Sequence, residues 1–249
     1  MTAALIPALP FVAALVGLFL GRRLPGGPAA VAVLGTTAST VLAIDLLLST
    51  ESGTLTEHST TLTPIGGLAI TLGTRVDPLA VTITLMVCTV ALLVQVYSIG
   101  YLGGDPRYGA YAAQVSLFTA AMLTVVLAAG LLLLLVGWEV MGLCSYLLIG
   151  HYREQPTASA AAIKAFLTTR IGDVGFLFGI FTLGMAAGSF RIADVLSAPL
   201  SHTTVLVGTL LLTCGVVGKS AQFPLHTWLP DAMAGPTPIS ALIHAATMV

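Results

Sequence analysis

The chain has 249 residues, of which 57% are hydrophobic and only 8% charged, and its formal net charge is −1. A soluble domain carries about a quarter charged residues, so a water-soluble globule is excluded. The near-neutral balance offers no basic surface for nucleic acid. The three cysteines, Cys88, Cys144 and Cys214, form no C-x-x-C and are expected to be small packing residues.

The apolar residues fall in runs of the length that a hydrocarbon core of roughly 30 Å demands of a helix. In chain order, spans are predicted near 3–21, 28–49, 78–101, 109–128, 131–150, 159–187 and 203–223, with an eighth starting near 237. The fold class expected is an all-α polytopic bundle. The first run has no positive residue before it and Arg22-Arg23 after it. That is the reverse of a signal peptide, so it reads as a retained span with the N-terminus outside. The inner loops then hold Arg22, Arg23, Arg107 and Arg153, and the outer loops only Arg75 and Arg191, in keeping with the positive-inside rule.

The outer loop 50–77 contains a stretch, Thr61 to Thr74, that alternates apolar and polar residues around Gly66-Gly67. It reads as a β-hairpin, with a disordered loop as the alternative. In the sixth span, Gly175 and Gly179, and Gly184 and Gly188, have the small-x-x-x-small spacing that lets helices approach closely. The sequence stops at Val249, a dozen residues into an apolar segment too short to cross a bilayer, so a longer parent protein is expected.

Charge at membrane depth costs at least about 2.5–3.5 kcal/mol on insertion scales, which makes each such residue a candidate for function. Glu139 lies mid-run in LLLLLVGWEVMGLCSYLLIG. Lys219 lies in the seventh span, five residues before Pro224 and eleven before Pro230. Each proline clashes with the carbonyl four residues earlier and lacks an N–H, so the helix is expected to break soon after Lys219. Irregular backbone at that depth is tolerated inside protein or beside a water-filled cavity. Burial favours the neutral form of an acid or an amine, and a nearby opposite charge favours the charged form. Groups balanced between the two pressures can take and release protons. A neutral packing glutamate and a snorkelling lysine are the alternatives.

The sixth span carries Lys164, Arg170 and Asp173; the last two, three apart, share a helix face and can form a structural ion pair. His244, in the eighth span, suits proton relay or plain hydrogen bonding, and His226 is similar. His58, His151 and His202 read as loop or surface residues. No G-x-G-x-x-G follows a strand and no G-x-x-x-x-G-K-[ST] is present, nor is there a haem-ligand or metal-cluster pattern. No cofactor is expected in this chain.

Two strings carry a resemblance: GWEVMGLCSYLLIGHY at 137–152 and GKSAQFPLHTWLPDAMAGPTPISALIHAATMV at 218–249. With RVDPLA at 75–80 and KAFLTTRIGDVGF at 164–176, they resemble the antiporter-like subunit L of bacterial NADH–quinone oxidoreductase, respiratory complex I, and its mitochondrial chain 5 counterpart. The resemblance implies a proton-translocating subunit of the membrane arm, with a discontinuous seventh helix. It implies entry spans over 1–107, including the outer loop 50–77, and the first antiporter-like repeat over 108–249. It maps a proton relay onto Glu139, Lys219, Asp173 and His244, with Glu139 paired to Lys219. FMN, iron–sulfur clusters and quinone are then expected in partner subunits. The partners are other membrane-arm subunits, above all the adjacent antiporter-like one, and the inner-membrane bilayer. The rivals are the large subunit of a multisubunit Na+/H+ antiporter and the proton-channel partner of a membrane hydrogenase or an inorganic-carbon uptake system. WEVMGLCSYLLIG and AGPTPISALIH favour the complex I subunit.

Overall fold

A computed structural model describes residues 2–50, 55–65 and 68–249. Each expected span is a helix: α1 (Thr2–Phe19), α2 (Gly27–Ser49), α3 (Pro78–Tyr101), α4 (Tyr108–Leu127), α5 (Leu131–Ile149) and α6 (Pro156–Ala187). A short α7 (Ile192–Ser197) precedes α8 (His202–Lys219); α9 (Trp228–Asp231) and α10 (Thr237–Ser240) lead into a π-helical turn, Ala241–Thr247. The helices α2, α3, α4, α5, α6 and α8 are long and apolar enough to cross a membrane, and α1 is apolar over Ala3–Phe19 but shorter. The chain is a multi-pass membrane protein.

Local chemistry sets the ends. Asp77 caps α3 by accepting from the Ala80 N–H at 2.8 Å, and Pro78 follows it in the first turn, where no N–H is needed. Ser201 caps α8 through the Thr204 N–H. Gly188 ends α6 in the left-handed region (φ 69°), its N–H and that of Ser189 closing on Met185 and Gly184 carbonyls.

The hairpin is present as β1 (Thr56–Ile65) and β2 (Leu68–Val76), antiparallel from Thr56↔Val76 to Ile65↔Leu68 with a bulge between Thr61 and Thr63. Its expected turn at Gly66-Gly67 lies outside the described residues. β2 also clamps the narrow link between α4 and α5. Ala129 N–H donates to Gly73 O at 3.0 Å, Leu131 N–H to Phe190 O at 2.8 Å, and Ile192 N–H to Ala129 O at 3.0 Å. Three residues, 128–130, thus separate two spans because their backbone groups are satisfied from both sides.

The core is built on α4, whose Tyr111, Phe118 and Leu123 are fully buried. One side packs on α1, α2 and α3 (Ile6, Ala43, Val87), the other on α5 and the final segment (Met141, Leu148, Ile239, Leu242). Cys88 and Cys144 are buried as expected, whereas Cys214 is exposed. The peripheral α8 lies on α6 across glycines. A Cβ on Gly172 would sit 2.5 Å from Cys214 O, one on Gly175 2.6 Å from Cys214 Cβ, and one on Gly179 2.8 Å from Leu212 N. Gly175 and Gly179 therefore serve close approach, as their spacing suggests. Gly184 and Gly188 do not: Gly184 faces the Phe190 ring, and Gly188 is the helix cap.

Candidate functional site

The break after Lys219 is where the prolines put it. α8 ends at Lys219, the chain turns through Ala221 (φ 52°), and Phe223–Pro224 is a cis peptide. The carbonyls released there are claimed individually. Val216 O accepts from Ser220, Val217 O from the Gln222 N–H, and Gly218 O from the Trp228 indole at 3.1 Å. Trp228 is wholly buried and locks the chain beyond the break onto the helix end. Lys219 thereby sits at the C-terminal pole of a helix, which favours a cation, beside the middle of α6.

Four charges alternate in sign along the α5–α6–α8 contact. Glu139 on α5 pairs with Arg170 on α6. The same guanidinium stands 3.6 Å from Asp173 Oδ2, and Lys219 Nζ reaches that oxygen at 3.4 Å. The other Asp173 oxygen accepts from the Trp138 indole at 2.6 Å. Asp173 and Lys219 are only 3% and 2% exposed, whereas the Glu139 side chain is 37% exposed and so half-buried. Gly142 makes room for the lysine, since a Cβ there would lie 2.7 Å from Nζ.

The expected direct contact between Glu139 and Lys219 is not formed; Arg170 and Asp173 stand between them. The Arg170–Asp173 pair is present, but as the middle of a longer row. Neither Lys219 Nζ nor Asp173 Oδ2 has an aligned hydrogen bond, although they lie at ion-pair distance. Such a contact is electrostatic, and little geometry must be undone to break it. Three aromatic contacts brace the row: Trp138 stacks on Phe176 at 4.4 Å, Lys219 lies 5.7 Å from the Trp138 ring centroid, and Arg170 lies 4.5 Å over Phe166.

His244 is not part of this row. It lies half-buried in the π-helical turn, 5.8 Å from the Trp228 ring, and neither ring nitrogen is hydrogen-bonded. Trp228 is thus the packing link between the histidine and the lysine-bearing helix end. Lys164 pairs instead with Asp231 at 2.7 Å, tying α6 to α9. His58, His202 and His226 are exposed, but His151 is buried, its Nε2 2.9 Å from Asp105 Oδ2 and its ring edge-on to Tyr111 and Tyr152. That corrects the surface reading of His151. Trp138 and Trp228 were missed as well; their positions beside Glu139 and within the proline-rich break were the available signals. Among the described residues no three His, Cys, Asp or Glu side chains converge as a metal site would require.

Comparison with known proteins agrees with this architecture. Residues 128–249 match the family model for the NADH:quinone oxidoreductase/Mrp antiporter transmembrane region, and residues 62–112 that for the N-terminus of chain 5 of NADH-ubiquinone oxidoreductase (complex I). Subunit L of the F(420)H(2) dehydrogenase of Methanosarcina mazei is 44% identical over 98% of this chain and 40% of its own length. Subunit L of the NADH-quinone oxidoreductase of Neisseria meningitidis is 42% identical over 100% of this chain and 40% of its own. The chain therefore spans about two fifths of these relatives. The Mrp complex of Dietzia sp. superposes over the whole chain and 27% of its matched chain with a TM-score of 0.87 at 30% identity. The membrane-bound sulfane sulfur reductase, an archaeal respiratory complex, gives 0.83 at 24% identity over 96% of this chain and 49% of its matched chain, a likeness of fold. The chain belongs to the antiporter-like NADH:quinone oxidoreductase/Mrp family, and corresponds to the N-terminal part of its subunit L and chain 5 members.

Proposed function

We propose that the chain is a proton-translocating membrane subunit of an NADH–quinone oxidoreductase, and that the row Glu139–Arg170–Asp173–Lys219 is its proton relay. The observation that carries this is a buried lysine at a helix break, 3.4 Å from a buried aspartate without an aligned hydrogen bond. The relatives at 42–44% identity are named as subunits of an F(420)H(2) dehydrogenase and an NADH-quinone oxidoreductase, while the Mrp neighbour is 30% identical, which favours the respiratory reading over the antiporter.

In this reading the row works by exchanging counterions. A unit charge about 4 Å away is worth about 4 kcal/mol at an effective dielectric of about 20. When Glu139 takes a proton, Arg170 loses its outer partner and turns fully to Asp173. Lys219 then shares Asp173 with a permanent cation and gives up a proton. When Glu139 is ionised again, it draws Arg170 back and Asp173 favours a protonated lysine. His244, behind Trp228, is the onward acceptor.

Residues 1–107 are entry spans in this reading and 108–249 the first antiporter-like repeat. FMN, iron–sulfur clusters and quinone belong to partner subunits, and the adjacent antiporter-like subunit is the direct neighbour. The chain lies in the inner membrane with its N-terminus outside.

Glu139→Gln tests the outer end of the row, because glutamine keeps the volume and one acceptor but cannot ionise. NADH-driven proton uptake by membrane vesicles is expected to fall several-fold at unchanged subunit levels. Uptake at the parental rate overturns the assignment.

A further inference from the structure

At the end of the bundle that carries Arg107 and Arg153, the helices α4, α5 and α6 part around a cleft of about 420 Å³. That is room for on the order of ten waters at about 30 Å³ each. Gln114, Tyr146, His151 and Ser159 line it together with the two arginines, so water inside has the several polar partners it needs. The charges at its mouth cancel. Arg107 lies 2.8 Å from Glu154 and 3.7 Å from Asp105, and Arg153 lies 4.0 Å from Glu154. An anion such as a lipid phosphate therefore meets no surplus of positive charge there.

The position of the cleft gives it a use. Along α6, Ser159, Ile163, Phe166, Arg170 and Asp173 follow at intervals of four, three, four and three, which is one stripe of a helix. Along α5, Tyr146 and Glu139 share a face in the same way, and Gly150 caps the helix beyond them. The cleft and the charge row thus occupy one α5–α6 groove. Tyr146, at the cleft, is seven residues from Glu139, about 10 Å at 1.5 Å per residue.

An aromatic pair stands in that interval. Tyr146 packs on Phe166 with ring centroids 5.3 Å apart, and the Arg170 guanidinium lies 4.5 Å over the same Phe166 ring. We infer that the cleft is an aqueous vestibule supplying protons to the Glu139 end of the row, and that the Tyr146–Phe166 contact is its gate. Arg170 couples the two: the guanidinium that answers to the charge on Glu139 also rests on the gating ring, so a shift of one loosens the other. The inference rests on the relay proposed above and adds its inlet.

The test uses the intact complex in inside-out vesicles, with Gln114→Cys or Ile163→Cys introduced singly and the parental chain as the blank for Cys214. A charged, membrane-impermeant methanethiosulfonate is expected to modify both positions, and modification of Ile163→Cys to lower proton uptake per electron several-fold against the same vesicles before labelling. Phe166→Ala is expected to raise the passive proton leak of resting vesicles several-fold, while Phe166→Leu, which keeps the bulk, holds it near the parental level. Where the alanine variant does not assemble, Phe166→Val takes its place. Reaction with a lipid-soluble maleimide but not with the charged reagent means an acyl chain fills the cleft and overturns the vestibule. Labelling without loss of uptake overturns the inlet, and an unchanged leak overturns the gate. If Glu139→Gln still blocks uptake in those cases, the relay stands and only its inlet is lost.

Discussion

Arg170 holds the row together, and its chemistry decides what the row can do. A guanidinium keeps its charge at any working pH and presents several donors in a rigid fork, so in the proposed relay it serves as a counterion and carries no proton. The proposed proton-bearing groups are those on either side of it. Trp138 fixes the aspartate between them: its indole donates to Asp173 at 2.6 Å while its ring stacks on Phe176. Trp138→Phe keeps the stack and removes the donor. It is expected to destabilise the assembled subunit by about 1.5–3 kcal/mol, the worth of a hydrogen bond to a charged group, seen as a lower melting temperature of the purified complex. An unchanged melting temperature contradicts that role. Glu139 and Lys219 were legible in the sequence because each is a lone charge in an apolar run. Their separation by Arg170 was not, because it depends on how α5 and α6 are rotated against each other. His151 was misread for a related reason: a histidine at the end of a span looks superficial until the α3–α4 turn brings Asp105 over it.

Among the elements, α8 depends most on fit. Of its residues only Gly208, Gly215, Gly218 and Lys219 are buried, and the contact surface on α6 is again glycine. Without a hydrophobic driving force inside a bilayer, close backbone packing supplies the association. A Cβ on Gly172 would meet a main-chain oxygen at 2.5 Å, which cannot move aside cheaply. Gly172→Ala should cost about 1–3 kcal/mol through overpacking and displace Lys219 from Asp173, lowering proton uptake as well as stability. Gly188→Ala is the contrast: the added Cβ meets nothing, and the cost is the left-handed backbone alone, about 1–2 kcal/mol. Proton uptake per assembled complex should survive Gly188→Ala and fall with Gly172→Ala; equal effects would contradict the packing role of Gly172. The spans, the hairpin and the break were all readable from run length, alternation and prolines. The six-residue α7 was not, since it is too short to show a helical period.

Across the whole molecule the loops sort to two ends. The hairpin, the α4–α5 link and the α6–α7 link meet at one, where Glu57 pairs with Arg191. The α3–α4 turn and the end of α5 meet at the other, through Asp105 with His151 and Arg107 with Glu154. Asp105 lies outside the spans, and desolvation there acts to raise its pKa. Hydrogen bonds from the Arg107 N–H and from His151, with the attraction of both side chains, prevail and hold the carboxyl below the ordinary value. A depressed carboxylate stabilises the fold above its unfolded value, about 3.9, and loses that contribution as the pH falls through the folded value. The melting temperature of the purified complex should therefore drop below about pH 4, and by less in Asp105→Asn; the same pH profile in both would contradict this.

The central question is whether Lys219 carries a proton or only a charge. Lys219→Arg separates the two, because arginine can still face Asp173 but does not release its proton. The direct measurement is the proton-to-electron ratio of vesicles holding the intact complex with this substitution. The relay predicts undiminished assembly and continued electron transfer with a lower ratio, and a ratio equal to the parental one would contradict it.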